Sequence, residues 1–367
     1  MTTRRNFLRS VAAATPIFCS CCLLDSALAQ QPKPRRRLVS VGGQRIRTVD
    51  THCHCLFQDA IDPMGADAPK VLPPTKGVAE HFIGDRGAVL AGRLRAMDEM
   101  GIDMQILSVN PYWYDRDRET AVKIVDLNNS HLAALCAEHP YRFGAFAALT
   151  MQFPDLAVQQ LDDAVRNKGL HGAAIGASML GESFALPKYD AVWAKAEELG
   201  ATLFIHPQGV PELSKRIAGN GWLGNIVAYP VETTIALQHF IFEGTLDKFP
   251  KLKVLGAHGG GYLPSYAPRD DHACFVSPQN CNPNIVLKKK PTEYLNQMYF
   301  DSLVFTPEAL RHLVAQVGAS QIVIGTDNPI PWEDHPVDMV IATKTLSDAE
   351  KRAILGTNAT RLLNLKT

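Results

Sequence analysis

Eight short, nearly continuous runs of apolar or β-branched residues recur along the chain with helix-period segments between them, and this rhythm narrows the fold more than any other feature. The runs span residues 46–51, 104–109, 143–149, 172–177, 201–206, 253–258, 298–304 and 321–326. A strand that is apolar throughout, rather than at alternate positions, is one buried on both faces. The intervening segments Leu90–Met100, Thr120–Ala137, Asp155–Asn167, Tyr189–Leu199, Thr233–Leu246 and Pro307–Val317 carry helical spacing. Eight strand-then-helix units predict an α/β fold, a (β/α)₈ TIM barrel over residues 46–367. Residues 56–88 and 207–232 read as insertions, and a helical tail is expected from Ser347. No repeat or composition break argues for a second domain.

Composition narrows the function classes. Lys and Arg total 37 against 37 Asp and Glu, so the formal net charge is +0 and no basic excess speaks for a nucleic-acid partner. With 46% hydrophobic residues, 26 Gly and 24 Pro, the chain is neither disordered nor collagenous. Beyond the N-terminus no apolar run approaches the ~20 residues of a membrane span, so no membrane anchor is expected after processing.

The start of the chain, Thr3-Arg4-Arg5-Asn6-Phe7-Leu8-Arg9 and a weakly apolar stretch to Leu24, resembles the twin-arginine export signal of bacteria. Ala27-Leu28-Ala29 supplies the small residues a signal peptidase reads. Cleavage is therefore expected before Gln30, with a signal over residues 1–29 and a basic linker over 30–45. A basic amphipathic start to the fold is the weaker alternative, because the charged, apolar and cleavage segments stand in signal order. The expectation is a periplasmic or secreted protein. Cys19, Cys21 and Cys22 fall inside the signal and lack the context of a lipid anchor.

Chemistry gathers at the C-terminal ends of the runs. The first closes Val49-Asp50-Thr51-His52-Cys53-His54, and residues i and i+2 of a strand point to one side, so His52 and His54 can converge on one ion. Alone, His-x-His is more often a pair of satisfied imidazoles. The fifth run ends at His206, the sixth at His258 ahead of Gly259-Gly260-Gly261, and the eighth is followed by Asp327. Active sites of this barrel collect at that same end, and independent placement of four such groups there is improbable. We read His52, His54, His206 and Asp327 as ligands of one divalent cation, Zn²⁺ first and Mn²⁺ as the alternative, with a position open for water. His258 then stands beside the ion as a neutral acid or base, with a fifth ligand as its competing role. The glycines after it would let backbone approach a ligand closely, or merely turn the chain.

The order His-x-His, His206 before Pro207, AHGGG and GTD-x-P resembles the amidohydrolase superfamily, and within it the aminocarboxymuconate semialdehyde decarboxylase subfamily. The similarity runs from about Val49 to Leu365. It also rests on Gly92–Gly101, Asn128-Asn129, Pro230–Leu237 with Glu232-Thr233-Thr234, Phe249–Val254 and Asn358-Ala359. It implies non-oxidative, metal-dependent decarboxylation of aromatic or dienoic acids, with His258 assisting a metal-bound water. The fourth run, Gly172–Ala177, ends without the lysine that bridges two metals in some members, so one ion is expected. Arg269 stands eleven positions after His258, where such decarboxylases place an arginine that reaches the neighbouring subunit's substrate; this implies a homodimer. A planar guanidinium suits a carboxylate, though most arginines are solvated surface groups. Between the first ligand pair and Arg95 the sequence departs from the family: a second substrate-binding arginine is expected there, and Arg86, Arg93 and His81 do not align to it.

Tyr112-Trp113-Tyr114 and Pro329–Trp332 could wall a flat ring or simply pack, and Asp301 could orient a histidine or make an ordinary salt bridge. Five cysteines lie beyond residue 29: Cys53, Cys55, Cys136, Cys274 and Cys281. The last two are the expected disulfide in an oxidising compartment. Cys53 and Cys55 alternate with the histidines and should face the helices; a His/Cys zinc knot competes, but one strand cannot turn both faces to one ion.

Two classes of function remain open. The first is an enzyme, a carbon–carbon lyase with a metal-dependent hydrolase (lactone, ester or amide) or hydratase as rival. A hydrolase would use Asp327 to take the proton, so both His258 and Asp327 are candidate catalytic groups. The second is a non-catalytic exported metal-binding protein, disfavoured because a metal store has no need of His258.

Overall fold

The computed structural model describes residues 36–72, 75–83 and 87–366. The expected signal over 1–29, the first part of the linker and Arg86 lie outside the described residues. A hairpin of Ser40–Val41 with Gln44–Arg45 leads in. Eight strands follow: β1 (Val49–His54), β2 (Met104–Ser108), β3 (Phe143–Ala145), β4 (Gly172–Gly176), β5 (Thr202–His206), β6 (Lys253–Gly256), β7 (Met298–Asp301) and β8 (Ile322–Val323). The longer α-helices between and after them are α1 (Ala88–Met100), α2 (Arg118–Glu138), α3 (Pro154–Arg166), α4 (Asp190–Leu199), α5 (Ala228–Phe242), α6 (Leu263–Asp270), α7 (Pro307–Val317) and α8 (Pro336–Ala342), and short helices Asp348–Arg352 and Asn358–Leu362 stand in the tail expected from Ser347.

Every barrel pairing is parallel, in two arcs, β1-β2-β3 and β4 through β8. Parallel bridges Ala147–Ala173 and Asp50–Ile324 join the arcs. The Ala174 N–H donates to the Ala147 carbonyl at 3.0 Å and the Thr51 N–H to that of Ile324 at 2.9 Å, which carries the sheet round from β8 to β1.

Side chains sort by alternation. Val49, Ile106, Phe146, Ala174, Phe204, Leu255 and Val323 fill the barrel interior, together with Leu362, Leu363 and Leu365 from the C-terminal end. Cys53, Leu107, Ala173, Ile205, Val254 and Phe300 face the other way, into the layer packed under the helices. The C-terminal segment closes the lower end: the Leu362 carbonyl accepts from Lys253 Nζ at 2.7 Å and from Thr202 Oγ1 at 3.3 Å. The open mouth is therefore at the strands' C-terminal ends.

Several boundaries differ from the sequence expectation for local reasons. α6 is absent from the expected helices because Pro264 and Pro268 break its pattern; Pro264 sits in the first turn, where its missing N–H costs nothing. The segment expected over Thr233–Leu246 begins earlier, at Ala228, and breaks at Gly244 (φ 70°) before a short turn over Thr245–Lys248. Residues 36–45, expected as linker, are tied to the barrel: Arg36 and Arg45 reach Asp103, and Arg37 pairs with Asp338. No helix among the described residues is long and apolar enough to cross a membrane.

Candidate metal centre

His52 and His54 arrive on β1, His206 on the last residue of β5, and Asp327 on the turn after β8; all four are buried, and one ligand atom from each lies within 4.8 Å of the others. The contacts are those of lone pairs facing a common point. Asp327 Oδ1 is 2.8 Å from His54 Nε2 and 3.3 Å from His52 Nε2, yet these atoms, and both ring nitrogens of His206, have no hydrogen-bond partner. Buried polar atoms are rarely orphaned, and one nitrogen lone pair from each of three imidazoles beside a carboxylate oxygen makes a four-atom donor set that a divalent cation would satisfy.

Electrostatics agree. Burial pushes His54 down to about 4 and His206 well below its ordinary value, so both stay neutral with lone pairs free. Burial alone would lower His52 too, but the Asp327 and Asp301 carboxylates override it and hold its imidazole up at about 10. Burial opposes ionisation of Asp327 as well, and the facing histidines, His52 foremost, still keep its carboxyl well below the usual range. His54 and His206 are thus already in the neutral form that ligates a cation, whereas His52 would give up its Nε2 proton as the cation takes its place beside Asp327. Cys53 and Cys55 stand outside the cluster: the first thiol donates to the Ile106 carbonyl, the second points to that of Ser108, and burial raises both.

The ligands are braced from behind. His52 Nδ1 lies 2.6 Å from Asp301 Oδ2 and His54 Nδ1 lies 2.9 Å from Ser108 Oγ. Arg93, in the segment where a second substrate arginine is expected, is buried structure, donating to Gln105 Oε1 and to the His54 carbonyl at 2.7 Å. Behind His206, Glu232 accepts from the Gln208 and Gly209 N–H groups at 2.6 Å each. His258 stands between the rings of His52 and His206, with centroids at 5.0 and 5.3 Å, and its Nε2 is 3.8 Å from Asp327 Oδ2. His258 and Asp327 both hold left-handed backbone, φ 55° and 60°, strain that recurs at functional positions. Gly259, Gly260 and Gly261 approach protein rather than ligand: an added Cβ on Gly261 would meet the Pro230 carbonyl oxygen at 2.2 Å and one on Gly260 the Phe300 ring.

Above the centre opens a cavity of about 530 Å³, in the range of small-molecule sites. His54, His206 and Asp327 form its floor, and Tyr112, Tyr114, Tyr229 and Trp222 are among its walls. Trp113 packs instead, donating to the Leu149 carbonyl, and Trp332 stacks on Trp222. The one arginine among the described lining residues is Arg116, held by Asp67 and Asp115. Arg269 lies on α6, exposed and outside this lining. Cys274 and Cys281 are joined by a disulfide.

The chain is 33% identical over 276 residues to 2-amino-3-carboxymuconate-6-semialdehyde decarboxylase of Dictyostelium discoideum, covering 74% of this chain and 76% of that one. It is 34% identical over 287 residues to gamma-resorcylate decarboxylase of Rhizobium radiobacter, covering 74% and 86%. A solved structure of a dihydroxybenzoic acid decarboxylase from Polaromonas sp., with bound manganese and the inhibitor 2-nitroresorcinol, superposes with a TM-score of 0.73 at 28% identity over 87% of this chain and 97% of that one. The Amidohydrolase family profile matches residues 49–365. With that match spanning the whole barrel, the chain belongs to the amidohydrolase family.

Proposed function

We propose that this protein releases carbon dioxide from an aromatic carboxylic acid, without redox chemistry, at the divalent-metal centre on the barrel mouth. The observation that carries the reading is the His52, His54, His206 and Asp327 cluster at a cavity large enough for a small organic acid, with a further imidazole, His258, beside it. The decarboxylase relatives, one of them with manganese, support the same reaction class. A divalent ion held by His52, His54, His206 and Asp327 would supply Lewis acidity beside the substrate carboxylate. His258, adjacent to Asp327 and outside the ligand set, holds the proton that the carboxylate-bearing carbon takes. The bond to the carboxylate then breaks, its electron pair stays on that carbon, and carbon dioxide leaves. Tyr114 and Tyr229 flank the space a flat ring would fill.

We further propose a homodimer, in which Arg269 serves the neighbouring copy. Its guanidinium makes no ion pair among the described residues, and Tyr266, Phe275 and Val276 are exposed on the same helix and the segment after it. Export is the corresponding reading of compartment, supported by the Arg4-Arg5 start and the Cys274–Cys281 disulfide.

The test is mass spectrometry on Zn²⁺- and Mn²⁺-loaded protein with a panel of phenolic and dienoic acids, lactones and amides. Loss of carbon dioxide from an acid, absent in His258→Ala, is expected. Gain of water instead would replace this reading with a hydrolase or hydratase.

A further inference from the structure

The cavity above the metal centre holds one imidazole that the proposed reaction does not use. His81 closes the short helical turn Val78–His81 in the insertion after β1, is buried, and lines the cavity. Its backbone is stitched to the strand end that carries His54: the His81 carbonyl accepts from the Leu56 N–H at 2.7 Å and the Ile83 N–H at 2.9 Å, and Leu56 pairs with Phe82 in a parallel bridge. The ring is therefore carried on fixed backbone, as a positioning group requires.

The ring's orientation decides what it can do. His81 Nδ1 lies 3.3 Å from the Gly77 carbonyl oxygen. A carbonyl only accepts, so Nδ1 carries the hydrogen and Nε2 keeps its lone pair in the neutral ring. Gly77 has φ 78°, a conformation a side chain would strain, so the turn that presents this carbonyl depends on glycine. Burial lowers the proton affinity of His81 and favours the neutral form. Among the described residues the ring's hydrogen bond is the one from Nδ1, and the ring is part of the cavity lining. The charged groups of the rim do not duplicate its role: Lys70 and Arg116 are both held by Asp67.

We propose that His81 is a substrate-positioning residue whose Nε2 accepts a hydrogen bond from a ring hydroxyl or amino group of the bound acid. The aromatic nature of that acid rests on the decarboxylase reading; the acceptor and its place do not. A fixed acceptor that an unsubstituted ring leaves unpaired selects against that ring by on the order of 10-fold or more.

Calorimetric titration of metal-loaded protein with benzoate, 2-hydroxybenzoate, 3-hydroxybenzoate, 2,6-dihydroxybenzoate and 2-aminobenzoate tests this, using wild type, His81→Phe and His81→Gln. At least one donor-bearing acid should bind wild type about 10-fold tighter than benzoate. His81→Phe should erase that preference while metal content holds, and His81→Gln, whose amide oxygen also accepts, should restore part of it. Comparison of the hydroxy with the amino acid identifies the donor. In turnover the loss should fall on KM more than on kcat. A preference that survives His81→Phe, a wild type without preference, or a wild type that binds none of the acids overturns the proposal. Carbon dioxide release is read separately, so His81-dependent binding without release would defeat the decarboxylase reading and leave this one standing.

Discussion

One oxygen of Asp301 holds two parts of the site at once: Oδ2 accepts from His52 Nδ1 at 2.6 Å and from the backbone N–H of His258 at 2.8 Å. The other oxygen takes the N–H groups of Gly259 and Leu303. The carboxylate thus fixes the tautomer of a metal ligand and the turn that presents His258. Asp301→Asn keeps the size but replaces one acceptor oxygen with a donor facing N–H groups. Metal affinity should fall by about 10- to 100-fold, read by competition with a chelator, and turnover should fall with it. Unchanged affinity would show that Asp301 is only packing.

Removing a ligand should separate metal binding from folding. Both ring nitrogens of His206 are buried without partners, so His206→Ala breaks no hydrogen bond in the metal-free protein. Metal-free wild type and variant should therefore melt within a few degrees of each other. Added Mn²⁺ or Zn²⁺ at 100 times Kd should stabilise wild type by about 2.7 kcal/mol and the variant hardly at all. Equal stabilisation of the two by metal would exclude His206 from the ligand set.

The sequence made the barrel and the ligand set legible for one reason, and the reason also explains what it hid. Strand-end histidines follow a period of two, so His52 and His54 on β1 can be placed from spacing alone, and Cys53 and Cys55 assigned to the opposite face. Arg93 and His81 lie beyond such rules. Whether a side chain in or beside the residue 56–88 insertion faces the cavity depends on tertiary contacts such as Arg93 with Gln105 and His81 with Gly77, and no local pattern encodes these. α6 was concealed by its own prolines, and the glycines after His258 were ambiguous because permissive backbone serves a tight protein contact as well as a ligand.

Asp103 should give the entry hairpin a pH signature. Its side chain is buried, and burial would raise its carboxyl, but Arg45, the Thr48 N–H and Arg36 override that and lower it. A carboxyl lowered by folding contributes stability above its unfolded value, about 3.9, and loses that contribution as pH falls through the lower folded value. Asp103→Asn should cost about 1–3 kcal/mol at pH 7, discounted because Arg36 and Arg45 are partly solvated, and the gap should close as pH drops below about 4. Urea unfolding of both proteins across that range reads it; a constant gap would mean that the charge of Asp103 is not what matters.

Gly261 ties the turn after β6 to α5, and its replacement should be felt at both. Its φ is 65°, and an added Cβ would come within 2.2 Å of the Pro230 carbonyl oxygen and 2.7 Å of Thr234 Oγ1. The first contact is with backbone and cannot be relieved by a rotamer change, so α5 or the turn itself must shift. Gly261→Ala should cost about 2 kcal/mol or more. The Tyr262 N–H donates to Thr234 Oγ1 at 2.8 Å, so the same movement would disturb the start of α6 and, through Gly259 and Gly260, the place of His258. The expected result is a lower Tm together with reduced turnover at unchanged metal content, because His258 is outside the ligand set. Loss of bound metal in Gly261→Ala would instead mean that the His258 turn helps hold the ion.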